Sequence, residues 1–315
     1  MDGILLGKAL YFSTSCNVSV GLVEPVKYEG SMSLHGPAHH AAVTSAAAAR
    51  ATYEAEGVVR LRGAFPREQI EGLAVRMEEM VSAAGRGELD LITTSRPGRI
   101  EIYNAVRREP LVREFIFRSA VAAIAGIISG STAVRFYFDV TFGKIGDGGQ
   151  HIPGEATTWH HDVASFGFKG RQMPSLWLAL TDVPEDAGPL VFAQGSHLPG
   201  DRLFRASGVH YSAPIEGYFD HSAIAPFVRA RGLPIRVMPA EAGDLIVIHP
   251  YVLHGSRPVT RKGGLRLGFC TRWLGDDVAW RPSPYTLAEA RNCRSHLAEG
   301  AAPPDAAFPV VWRRV

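Results

Sequence analysis

From residue 133 onward the apolar residues of this 315-residue chain arrive in short runs, each closed by Gly, Pro or Asp, and no run is long enough for a packed helix. Residues 133–142, 175–180, 189–193, 234–238, 245–248 and 265–274 are predicted strands. Asp186-Ala187-Gly188-Pro189 and Ala242-Gly243-Asp244 are turns between them. No helical pattern alternates with these strands, which argues against the wound parallel sheet of nucleotide-binding folds.

The first half supplies the helices. An alanine-rich run at 44–56 suits a helix, and 58–61 suits a short strand ended by Gly63. After Pro66, with Glu68 in the first turn, Ile70, Leu73, Ala74, Met77, Met80 and Val81 recur at the spacing of one buried stripe, so the methionines read as packing residues. A further helix is predicted over 111–128. Helices first and strands later give a mainly β domain with flanking helices, an antiparallel sandwich or jelly roll covered on one face.

Charge and composition narrow the partners. Lys+Arg 33 against Asp+Glu 31 leaves a formal charge of +2, with no basic stripe, so no nucleic-acid partner is expected. The longest uninterrupted apolar run, 120–128, is about half of the roughly 18 to 20 residues that cross a bilayer, so no membrane association is expected. Met1-Asp2-Gly3 opens no secretory signal, and three cysteines without a CxxC pair fit a reducing compartment; a cytoplasmic protein is expected. Residues 1–31 show no clear period and read as a disordered N-terminal extension to a single domain over 32–315.

Among 12 histidines, only His160 sits two residues before a carboxylate, Asp162, the spacing that puts both side chains on one face of a strand. Chance alone supplies about one such pair at this composition, so its weight depends on what lies downstream. His254 follows the Gly243-Asp244 turn and the apolar run 245–248, with Ser256 two residues on and Arg266 in the run 265–274. Two imidazoles and one carboxylate on one face of a metal leave positions open for a bidentate cosubstrate and O₂, the facial triad of non-haem Fe(II) oxygenases. Arg266 lies between Leu265 and Leu267 and leaves the opposite face of the strand. Facing inward it needs an anionic partner, such as a dicarboxylate bound end-on; facing outward it simply meets water.

Three stretches together resemble the phytanoyl-CoA dioxygenase family of Fe(II)/2-oxoglutarate oxygenases. The first is Trp159-His160-His161-Asp162. The second is Trp177-Leu178-Ala179-Leu180-Thr181-Asp182-Val183, followed by Asp186-Ala187-Gly188-Pro189-Leu190 and Gly195-Ser196-His197. The third is Gly243-Asp244 leading to His254-Gly255-Ser256 and Arg266. Order and spacing agree over about residues 130–275, and more weakly from about residue 50. The resemblance implies a double-stranded β-helix, a cupin-like jelly roll, with His160, Asp162 and His254 holding Fe(II) at the catalytic centre. It implies that Arg266 binds the distal carboxylate of 2-oxoglutarate, that Ser256 hydrogen-bonds the same end, and that Trp177 lies beside the cosubstrate. Succinate and CO₂ are the products expected from that cosubstrate and O₂.

In related halogenases the carboxylate ligand gives way to chloride. Its retention here as Asp162 argues for hydroxylation of a small-molecule C–H bond, or for desaturation, ring closure or epimerisation, in specialised metabolism. His161, Phe166 and Phe168 are candidates to line the substrate pocket, whereas His197 and His249 read as structural. Two other classes stay open: a cupin-like metal-dependent isomerase or hydrolase, which has no use for an inward Arg266, and a non-catalytic jelly-roll binding protein.

Overall fold

The computed structural model describes residues 37–146, 156–198, 203–204, 216–283, 286 and 297–314; the extension expected at 1–31 lies outside them. The chain opens with α1 (Pro37–Glu56), β1 (Val58–Leu61), α2 (Arg67–Gly85) and the hairpin of β2 (Ile92–Arg96) and β3 (Arg99–Tyr103). Two helices, α3 (Pro110–Arg118) and α4 (Val121–Ser129), lead into the long strand β4 (Ala133–Ile145). Then come β5 (Phe168–Lys169), β6 (Ser175–Ala179), β7 (Leu190–Ala193), β8 (Leu203–Phe204), β9 (Tyr218–Phe219) and α5 (Ile224–Ala230). The last strands are β10 (Ile235–Met238), β11 (Leu245–Ile248), β12 (His254–Ser256), β13 (Leu265–Leu274), β14 (Ala279–Trp280) and β15 (Val310–Arg313).

An eight-stranded sheet runs β1-β11-β6-β13-β4-β3-β2 with β15 also paired to β4, and faces a three-stranded sheet ordered β10-β7-β12. All pairings within both sheets are antiparallel. This is the jelly roll, mainly β with helices on one side. The period-2 alternation of strands produces its layers. On β6, Leu176 and Leu178 join the helices α1–α4 in the largest core, while Trp177 and Ala179 point the other way, toward Leu190, Phe192 and Met238 of the smaller sheet. On β13, Leu267, Phe269 and Trp273 face the helices, whereas Gly268 and Cys270 face Trp177 and the smaller sheet. Each such buried aliphatic or aromatic side chain contributes about 1.5–3 kcal/mol.

Two helix expectations need correction. Helix α1 already includes Pro37, ahead of the predicted 44, so His39 and His40 lie on a helix. The single helix expected over 111–128 is two. At Ser119 the backbone turns extended (φ −93°, ψ −179°), and the Ser119 hydroxyl accepts the Val121 amide at 3.2 Å, satisfying an amide at the start of α4. Strand β3 escaped prediction because its inner positions, Arg99, Glu101 and Tyr103, alternate with Ile100 and Ile102 on the helix side, and the charges mask the period. No helix among the described residues is long and apolar enough to cross a membrane.

Candidate active site

The site begins as a backbone pairing. The His160 amide donates to the His254 carbonyl at 2.9 Å and the His254 amide returns the bond at 2.8 Å. This antiparallel bridge sets both imidazoles on one face, ring centroids 4.2 Å apart. Gly255 makes the approach possible, since a Cβ there would lie 2.5 Å from the Thr157 carbonyl oxygen. Asp162 does not continue a strand with His160, as the spacing suggested; it opens a short 3-10 turn, Asp162–Ala164, that folds its carboxylate back toward the pair. Lys169 clamps this turn from beneath, its ammonium donating to the carbonyls of Val163 at 2.5 Å and Phe166 at 2.7 Å.

Asp162 Oδ1 thus stands 3.8 Å from His160 Nε2 and 4.0 Å from His254 Nε2. The three ligand atoms all lie within 4.8 Å of one another, and among the described residues this is the one cluster of three such side chains able to hold a metal. The orientation of each is fixed from behind. His160 Nδ1 donates to the Thr158 carbonyl at 2.9 Å and His254 Nδ1 to the Val252 carbonyl at 3.1 Å, which turns both Nε2 lone pairs inward. The Ser175 hydroxyl donates to Asp162 Oδ2 at 2.6 Å, leaving Oδ1 for the centre. Burial, with the His254 imidazole beside it, holds His160 well below its ordinary pKa and therefore neutral. Burial alone raises the Asp162 carboxyl, but Arg272, the two imidazoles and Ser175 outweigh it and keep the group ionised. Nitrogen and carboxylate donors in these protonation states suit a divalent transition metal.

Arg266 is inside the sandwich, only 2% exposed, which excludes the outward alternative. Its guanidinium carbon lies 4.8 Å from the centre of the Trp177 ring. That indole in turn lies over Gly268, where a Cβ would come within 2.3 Å of it. Arg266 Nε and Nη2 have no hydrogen-bond partner, and burial lowers its pKa to about 9, so the side chain stays cationic at neutral pH. Directly across β4 is Lys144, fully buried, donating to Ser256 Oγ at 2.6 Å and Thr157 Oγ1 at 2.9 Å. The sequence reading missed Lys144 because it ended the strand at 142; two residues further, Phe138, Val140, Phe142 and Lys144 share the inner face at period 2. Two adjacent buried cations, one with unpaired nitrogens, are matched by an anionic carboxylate entering between them.

The substrate candidates are placed unevenly. His161 is buried, and its Nε2 accepts the Phe204 amide at 2.8 Å, so it secures β8; burial lowers its pKa to about 4. Phe166 packs on Tyr137 and Phe138 and lies 5.6 Å from the guanidinium carbon of Arg272, whereas Phe168 sits deeper, against Trp280 and Phe308. Arg272, not singled out in the sequence, reaches to 3.9 Å from Asp162 Oδ1. His197 and His249 are structural: His197 Nε2 meets the Glu54 carbonyl at 3.0 Å, and His249 Nδ1 accepts the Tyr251 amide at 3.2 Å.

Two imidazoles and a carboxylate converging inside a jelly roll, with buried cations waiting for a dicarboxylate, define a non-haem Fe(II), 2-oxoglutarate-dependent oxygenase. The comparison with known families narrows this: the phytanoyl-CoA dioxygenase (PhyH) model matches residues 53–266, and the chain belongs to that family. A curated relative, 1-deoxypentalenic acid 11-beta-hydroxylase from Streptomyces exfoliatus, is 23% identical over 256 residues, covering 70% of this chain and 78% of that protein. The epimerase SnoN, solved with Fe³⁺, alpha ketoglutarate and nogalamycin RO, superposes with TM-score 0.65 at 19% identity, covering 85% of this chain and 99% of its own. The carbocyclase SnoK from nogalamycin biosynthesis gives 0.64 at 19%, covering 84% and 96%. These two likenesses speak to the fold.

Proposed function

We propose that His160, Asp162 and His254 hold Fe(II), and that Arg266, Lys144, Ser256 and Trp177 receive 2-oxoglutarate, in an enzyme that oxidises a C–H bond of a small molecule of specialised metabolism. The observation that carries this reading is Arg266, buried against Trp177 with two nitrogens unpaired. An isomerase or hydrolase using the same three ligands has no need of it. When bound, iron and 2-oxoglutarate supply the oxidising power, with O₂ consumed and succinate and CO₂ released.

The chain's own residues do the rest. Thr158 and Val252 hold the imidazoles, Ser175 holds Asp162, and the Lys144 ammonium and Arg266 guanidinium fix the far end of the cosubstrate. The retained carboxylate of Asp162 supports hydroxylation, desaturation, cyclisation or epimerisation. A hydroxylase of a deoxypentalenic acid and an epimerase seen with a nogalamycin both support a small-molecule substrate. Three cysteines without a CxxC pair favour the cytoplasm as its setting.

The test is an anaerobic titration with Fe(II) and then 2-oxoglutarate, followed by the visible metal-to-ligand charge-transfer band. A band in the wild type, lost in His160→Ala and weakened in Arg266→Leu, is the expected result. Its absence from folded, iron-loaded protein favours the isomerase or binding-protein readings.

A further inference from the structure

We infer that the substrate carries a carboxylate and that Arg272 binds it, beside the metal ligands and at the other end of β13 from Arg266. This rests on the function proposed above and names the substrate class of the same site.

Arg272 shares the inner face of β13 with Arg266, six residues or about 20 Å further along the strand. Its cross-strand neighbours are Phe138 on one side and Ser175 on the other. Only 7% of the residue is exposed. The guanidinium carbon lies 4.9 Å from the centre of the Phe138 ring and 5.6 Å from that of Phe166. Nε and Nη1 have no hydrogen-bond partner, and Nη2 stands 3.9 Å from Asp162 Oδ1, beyond hydrogen-bond reach.

Asp162 compensates the charge of Arg272 but takes no hydrogen bond from it, and the other neighbouring carboxylates are engaged elsewhere. Asp162 gives Oδ2 to Ser175 and turns Oδ1 between the two imidazoles. Glu101 takes the Tyr103 hydroxyl at 2.7 Å and the Thr94 hydroxyl at 3.0 Å and pairs with Arg99. Asp139 accepts the amides of Ala105 at 2.8 Å and Val106 at 3.2 Å. A buried guanidinium with unmet donors is costly, and a ligand carboxylate removes the cost. The Phe138 and Phe166 rings lie against the guanidinium, and its two unmet donors, Nε and Nη1, are each left to donate to a ligand oxygen. Unmet cationic donors suit the anionic oxygens of a carboxylate, with which they form the stronger, charge-assisted hydrogen bonds that an ester, amide or thioester does not give. Arg266 already serves the distal carboxylate of the cosubstrate, so the two arginines address different acids.

The experiment uses cyclohexanecarboxylate and cyclohexanecarboxamide as probes. Each is titrated calorimetrically into the metal-free protein and, without oxygen, into protein loaded with Fe(II) and 2-oxoglutarate. The wild type is expected to prefer the carboxylate by about tenfold or more, as a charged hydrogen-bonded pair dictates. In Arg272→Met the preference falls to near unity and in Arg272→Lys it is intermediate, in the metal-free protein as in the loaded one. A cooperative thermal transition reports that Arg272→Met folds, at a lower temperature than the wild type because buried Asp162 loses its neighbouring cation.

Equal affinity for the two probes in the wild type, or a preference undiminished in Arg272→Met, overturns the inference. So does a loss of 2-oxoglutarate affinity with the probe preference intact, which assigns Arg272 to the cosubstrate. Failure of the wild type to bind Fe(II) and 2-oxoglutarate sinks the proposed function instead, and the metal-free titrations still report on Arg272.

Discussion

The ammonium of Lys144 donates to the hydroxyl of Ser256 at 2.6 Å from a position wholly shielded from solvent. Its cross-strand partner is Arg266, so a cosubstrate carboxylate that reaches one cation reaches both. A hydrogen bond to a charged group is worth about 1.5–3 kcal/mol, so Lys144→Met is expected to weaken 2-oxoglutarate roughly 10- to 100-fold. Ser256→Ala is expected to cost only several-fold, because Lys144 keeps its bond to Thr157. Anaerobic titration of both variants checks the order; a weaker effect from Lys144→Met than from Ser256→Ala refutes it.

Gly268 and Arg266 give a contrasting pair. A Cβ on Gly268 would meet three atoms of the Trp177 indole at 2.3–2.4 Å, so the ring has to move and carry the stacked Arg266 with it. Gly268→Ala is expected to lower stability by about 1–3 kcal/mol and to weaken the cosubstrate as well. Arg266→Leu is expected to weaken the cosubstrate more, yet leave the unfolding temperature unchanged or raised, since it removes a buried cation with unpaired nitrogens. Thermal unfolding beside titration separates the two; a destabilised Arg266→Leu contradicts the account of Arg266 as an uncompensated charge.

How much of this was legible beforehand differs from residue to residue. Strands β1, β11 and β13 coincide with the expected 58–61, 245–248 and 265–274, because apolar runs bounded by Gly and Asp state their own limits. His160, Asp162 and His254 were found, but the geometry that joins them was not. The strand spacing that picked out His160 and Asp162 is replaced by a bridge and a 3-10 turn, and only the fold of that turn returns the carboxylate. Lys144, Ser175 and Arg272 stayed hidden because their importance is a matter of register. Lys144 matters through Arg266 across β4, and Ser175 and Arg272 through each other across β6, pairings that no spacing along one chain records.

Ser175 is where that register touches the metal site. Its hydroxyl donates to Asp162 Oδ2 and so fixes which oxygen faces the imidazoles. Partners behind metal ligands are typically worth 10- to 100-fold in metal affinity, and Ser175→Ala is expected to lose about that much for Fe(II) with the fold intact. Competition with a coloured chelator measures it. Unchanged affinity would mean that Asp162 is held by its turn alone.

His249 supplies a pH dependence that is independent of the metal. Its ring is buried 4.6 Å from that of His197 and 5.6 Å from that of Tyr53, and Nδ1 accepts the Tyr251 amide at 3.2 Å. Burial first, then His197 and Arg171, push its pKa down to about 2. The native state therefore keeps it neutral while the unfolded chain takes up a proton near pH 6.5. Between those values the unfolded state binds the extra proton, so this contribution is complete above about pH 6.5 and is lost by about 1.4 kcal/mol for each pH unit below it. His249→Phe removes that proton while costing some stability at every pH through the lost acceptor. The wild type is thus expected to lose about 2 kcal/mol more than the variant between pH 7 and pH 5, since only the part below pH 6.5 counts. His197, also lowered by burial, contributes to both proteins alike. Denaturant unfolding at the two pH values decides the matter: parallel losses in wild type and variant would mean that His249 already carries its proton in the folded protein.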